Sequence, residues 1–161
     1  MTDFLPEFSV ATSPGPTRYL LTNDYIATPK SIAVAARLEI EYCFEDEDIC
    51  VCRAEPSSEI ENLDTGGFGP VYRIGQGGPL AVPTGRVFVG FEEWTTLVSR
   101  RPEIERAGFV IQQPLSYAPQ AGWLLPQSGR IADALQDFPK LTRLAGILAV
   151  EPQLLMQRET R

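Results

Sequence analysis

The chain contains no histidine and only two lysines, Lys30 and Lys140, in its 161 residues. The missing histidine removes Ser-His-Asp and Cys-His nucleophile activation, imidazole acid–base chemistry and most catalytic zinc sites. Scarce lysine leaves Ser-Lys chemistry poorly supplied. Cysteine is rare too. Three is an odd count for a disulfide framework, so Cys43, Cys50 and Cys52 are expected to be reduced within a strand pair. No apolar run approaches the length of a bilayer span. The opening MTDFLPEFSV lacks the positive and apolar regions of a signal peptide. These absences predict a soluble, cytoplasmic, non-enzymatic protein with no cofactor, no bound metal and no membrane partner.

Acidic charge is what the chain has in excess. Residues 1–84 carry five Lys/Arg against thirteen Asp/Glu, whereas 85–161 carry nine against eight, which together give the net −7. That asymmetry suggests two modules with different surfaces. Neither is basic enough for a nucleic-acid footprint, and no aromatic-basic ladder is present, so no nucleic-acid partner is expected.

Residues 1–16, with three prolines and no sustained period, read as an irregular arm. Residues 17–84 read as an acidic β-rich module. Tyr19–Ile26 suggests a short strand. Leu38, Ile40, Tyr42 and Phe44 alternate with Glu39, Glu41 and Cys43 inside a strand read from Ile32 to Phe44. Glu45-Asp46-Glu47-Asp48 breaks that pattern, and Ile49–Arg53 resumes it, so the two runs form a hairpin with an acidic turn. Val71–Ile74 and Leu80–Val82 are short strands around Gly75-Gln76-Gly77-Gly78.

From Gly85 to Arg161 the texture changes. Arg86–Phe91 is a strand. A helix over Trp94–Ala107 contains Pro102, which predicts either a kink or a restart with Pro102 in a first turn. Gly108 closes it as a left-handed cap. Strands at Phe109–Gln113 and Ala121–Leu125 follow. A second helix, broken near Pro139, runs from an N-cap at Ser128 through Ile131, Leu135, Phe138 and Leu144, and Leu148–Leu155 gives a last strand. The fold class expected is therefore α+β: a small β-rich N-terminal module followed by a ferredoxin-like βαββαβ sandwich over 85–161.

Several local patterns have a sharp reading and a plainer one. Asp64-Thr65-Gly66 matches the aspartic-protease triplet, but only one copy exists and no apolar strand leads into it, so it reads as a turn. Gly75–Gly78 does not open a helix or precede Lys-Ser/Thr, which favours a hairpin loop over a phosphate cradle. The three cysteines lack an evident fourth metal ligand and read as small buried hydrophobes. Glu45–Asp48 lacks calcium-loop spacing and reads as a solvated turn that discourages edge pairing. Trp94 and Trp123 read as core or interface residues.

Four features in order carry a resemblance: the strand Arg86–Phe91, Gly108-Phe109 after a helix, the turn Tyr117-Ala118-Pro119, and Val150-Glu151-Pro152 in a closing strand. In this order the segment resembles the propeptide or inhibitor domain of subtilisin-like serine proteases. Residues 1–84 lie outside the resemblance. It implies a non-catalytic inhibitor or folding chaperone for a protease from the same precursor or a neighbouring gene. Its sheet would pack on the protease. Its tail, Gln153, Leu154, Leu155, Met156, Gln157, Arg158, Glu159, Thr160 and Arg161, would enter the cleft beyond the strand-end motif Val150-Glu151-Pro152. Leu154, Leu155 and Met156 would be the anchors, and a tail ending in a carboxylate would sit there as a product does. The alternative is an interaction or scaffold module without protease inhibition. A small-molecule or catalytic domain is disfavoured by the missing histidine.

Overall fold

A computed structural model of the chain describes residues 4–11, 15–53 and 69–157. The chain forms two compact units, Met1–Pro83 with Leu154–Arg161, and Thr84–Gln153.

The first unit is built from antiparallel strands: β1 (Glu7–Val10), β2 (Thr17–Thr28), β3 (Glu39–Phe44), β4 (Ile49–Arg53), β5 (Gly69–Ile74) and the start of β6 (Leu80–Phe91). Their order is β3-β4-β2-β5-β6, with β1 also on β2. The β2 strand is long enough to pair with β1 and β5 near its start and with β4 and β5 near its end. Its register against β5 shifts between Leu21 and Ile26, where the Thr22 hydroxyl donates to the Val71 carbonyl at 2.8 Å. In β1 alternate side chains, Phe8 and Val10, enter the core, as pleating requires. Ala27, Val51, Val71 and Val82 form one cluster, with Tyr25, Tyr42, Phe44 and Leu155 among the residues packed on it. Phe8 stacks on Tyr19 at 4.9 Å and meets Tyr72 edge-on at 4.8 Å. A short helix, α1 (Lys30–Ala35), follows Pro29 and buries Ala33.

The second unit contains the rest of β6, then a 3-10 turn (Val98–Arg100) leading into α2 (Arg101–Arg106), then β7 (Phe109–Leu115), β8 (Ala118–Pro126), α3 (Ile131–Leu141) and most of β9 (Ile147–Met156). The β8 strand pairs with β6 and β7, and β9 pairs with β6. Val87, Val89, Leu97, Ile104, Phe109, Leu124, Leu135 and Leu141 are buried. Gly122 is required by close approach: a Cβ there would meet the Gln113 carbonyl oxygen at 2.5 Å and Pro114 Cα at 2.8 Å. At Gly108, φ of +98° closes α2 in the left-handed region, as the sequence predicts.

The expected α+β class with a ferredoxin-like βαββαβ sandwich is overturned. The described residues are strand-dominated, with 52% of them in strands against 19% in helices. The strand-helix-strand order holds from Leu80 to Met156, but the helices are too small for the expected helical layer. Trp94–Ala107 yields only a 3-10 turn and six residues of α2, because Pro102 starts a helix there and does not bend a longer one. The second expected helix shrinks to the eleven residues of α3. Its start moves from Ser128 to Ile131, and the Ser128 hydroxyl accepts from the Arg130 amide at 3.1 Å without capping the helix.

Other expectations are corrected at the same level. Within residues 1–16, read as an irregular arm, Glu7–Val10 is a strand. The strand read over Ile32–Phe44 begins only at Glu39, after α1 and a left-handed Arg37 at φ +56°. The break read at Pro83–Gly85 interrupts no strand, since β6 runs through it for twelve residues.

Candidate functional site

The hairpin of β3 and β4 sets the geometry of the site. The two strands pair with Phe44 opposite Ile49, Cys43 opposite Cys50 and Tyr42 opposite Val51. A register shift between Ile40 and Tyr42 makes Glu41 the extra residue of a bulge. Cys43 and Cys50, directly opposed, form a disulfide, and Cys52 is left as a buried free thiol. The expectation of three reduced cysteines is thereby corrected. The four-residue turn Glu45–Asp48 fixes which cysteines face each other, and Cys52 falls opposite Ile40. Burial pushes the Cys52 thiol up, which keeps it protonated and a poor nucleophile.

On the side away from β4, no strand pairs with β3 among the described residues. A groove of 570 Å³ lies there, lined by the run Tyr42–Glu47 on one side and the run Leu154–Gln157 on the other. Side chains of a strand alternate between faces, so a groove lined by consecutive residues follows strand edges rather than one sheet face. Tyr42 and Phe44 meet edge-on at 5.4 Å, and Leu155 packs into the apolar cluster beside them. Met156 keeps 42% of its surface exposed. Glu45, Asp46 and Glu47 are exposed at the hairpin end of the groove. Burial, with Tyr25 and Glu41 adding to it and Arg73 opposing it, raises the Tyr42 phenol above its ordinary range. The site thus offers two lines of backbone hydrogen-bonding groups, an apolar lining and an acidic end.

The residues expected to form a strand end and a free tail lie as follows. Val150, Glu151 and Pro152 sit inside β9, which continues through Met156. Pro152 is buried there, a position an edge strand tolerates. The Gln153 side-chain oxygen accepts from the Thr84 hydroxyl at 2.7 Å. Leu154, Leu155, Met156 and Gln157 line the groove. Arg158, Glu159, Thr160 and Arg161 fall outside the described residues, as does Asp64-Thr65-Gly66. Sequence reasoning missed Tyr42, Phe44 and Glu45–Glu47 as site residues, because it assigned them to a strand and a solvated turn. The signal that could have found them is the lone hairpin with an apolar strand and an acidic tip, an edge in need of cover.

Elsewhere, Gly75–Gly78 is a hairpin loop, in which Gly75 and Gly77 take positive φ and the Ile74 amide donates to Pro79. Trp123 is half-buried against Phe88, with the Arg86 guanidinium 4.3 Å from its ring centre, whereas Trp94 is 81% exposed. A shallower 320 Å³ depression beside Glu103, Arg106, Lys140 and Leu144 has an open, mixed-charge lining. Among the described residues no group of three or more His, Cys, Asp or Glu is placed to hold a metal, and no helix is long and apolar enough to cross a membrane. No protein-family model, curated protein or solved structure matches the chain.

Proposed function

We propose that this chain is a non-catalytic protein-interaction module that receives a polypeptide segment in the groove between β3 and the end of β9. The observation that carries the reading is the pair of strand edges flanking one groove of mixed apolar and acidic lining. An unpaired edge is a template for another strand, and peptide recognition commonly uses it. The test is selection from a random peptide library displayed on phage, comparing the native chain with Met156→Trp, which fills the groove from an already exposed position. Sequences that bind the first and lose the second support the reading. Absence of any such sequence overturns it.

Inhibition of a subtilisin-like protease is the second proposal, and it rests on the motif order from Arg86 to Pro152. It would make the end of β9 a ligand, whereas Leu155 packs in the first unit's own cluster. An inhibition assay with and without Gln153–Arg161 separates the two. A cytoplasmic location is also a proposal, and the Cys43–Cys50 disulfide counts against it, since such bonds persist mainly in oxidising compartments.

A further inference from the structure

We infer that the segment taken up by the groove is an extended basic strand in which Lys or Arg alternates with β-branched apolar residues. This inference rests on the groove being a peptide site. Three observations select the chemistry. First, both walls are strand edges, which ask for a partner able to exchange backbone hydrogen bonds along its length. A helix or a folded loop satisfies its own backbone groups and could not.

Second, the lining is apolar and aromatic where Tyr42, Phe44, Leu155 and Met156 stand, so one face of the incoming strand must be apolar. Period-2 alternation then sends the intervening residues to the other face.

Third, the charged residues that line the groove are of one sign. Glu45, Asp46 and Glu47 line the groove, and their carboxylates enter no ion pair among the described residues. Arg18 and Arg53 of the same unit are held instead by Glu7 and Glu41. The Arg73 guanidinium donates to the Gly78 carbonyl at 2.9 Å. A cationic strand supplies what the turn lacks, and an acidic one would be repelled at the same end.

Four fluorescein-labelled octapeptides with blocked termini test this by anisotropy against the full chain. They are alternating Val/Lys, alternating Val/Glu, a block sequence of four Val then four Lys, and alternating Val/Lys with N-methyl groups on every second amide. The first is expected to bind saturably and to weaken as salt is raised. The other three are expected to bind at least tenfold more weakly. Reversing charge with Glu45→Lys and Glu47→Lys, exposed positions whose change should leave the fold intact, is expected to transfer preference to the Val/Glu peptide.

Equal binding of the Val/Glu or block peptide overturns the inference about charge and alternation. Equal binding of the N-methylated peptide overturns strand addition. If library selection yields groove-dependent ligands that are acidic or helical, this inference falls while the groove remains a peptide site. A homodimer by light scattering that the Val/Lys peptide fails to dissociate also overturns it, because a second copy would then own the edge.

Discussion

At the scale of single residues, the tyrosines of the first unit show how burial fixes a protonation state. Burial holds the phenols of Tyr19, Tyr42 and Tyr72 above the ordinary tyrosine range. Tyr72 is fully buried, and its hydroxyl donates to the Leu5 carbonyl at 2.8 Å. Below about pH 10 these phenols are neutral in folded and unfolded chains alike, so their contribution is constant. Above that, the unfolded chain ionises first, and the folded state loses stability as pH rises. The urea midpoint is therefore expected to fall between about pH 10 and 11.5. Tyr72→Phe should flatten that fall while costing about 1 kcal/mol at neutral pH through the lost hydrogen bond. A slope identical to that of the native chain would show that Tyr72 does not contribute.

At the scale of elements, the β3–β4 hairpin joins the disulfide to the groove. Cross-linking residues seven apart removes chain entropy worth about 2–3 kcal/mol. Cys43→Ala with Cys50→Ala, or reduction with a dithiol, is expected to lower the urea-derived stability by about that amount, provided unfolding stays two-state. Alkylation followed by mass spectrometry checks the state of each thiol. The hairpin also shows what could be read in the sequence. Alternation of apolar and other residues from Glu39 to Phe44 and from Ile49 to Arg53 was legible in the residue types, although burial in the two strands changes along their length and not from face to face. The partner of Cys43 was hidden because parity says which face a cysteine takes, and register says whom it meets. Within α1, residues 32–35 read as strand because Ile32 and Val34 favour β structure and no capping side chain marks the start. The helices of the second unit were over-read because their apolar spacing continues beyond their ends, before Arg101 in α2 and past Leu141 in α3. The groove was least legible of all. It needs two segments more than a hundred residues apart in sequence to line one space, and nothing in either segment's composition points to the other.

At the scale of the whole molecule, the first unit is discontinuous: it runs to Pro83 and is completed by residues from Leu154 onward. The second unit is continuous from Thr84 to Gln153. A chain stopped after Gln153 is therefore expected to keep amide exchange protection in β7 and β8 while losing it in β3 and β4, where Leu155 no longer packs. Uniform loss of protection in both units would show that they fold as one cooperative body. The same discontinuity has a consequence for synthesis. The segment 84–153 must leave the ribosome before Leu154 does. At about 5–20 residues per second, that delay lasts roughly 4–14 s. Through that interval β3 has its hairpin partner but one wall of the groove does not yet exist. A nascent chain is then a different binding object from the finished one, with an open apolar edge for folding helpers to hold. The capacity to bind through the groove arrives only once Leu154–Gln157 have been made, after the whole of the second unit.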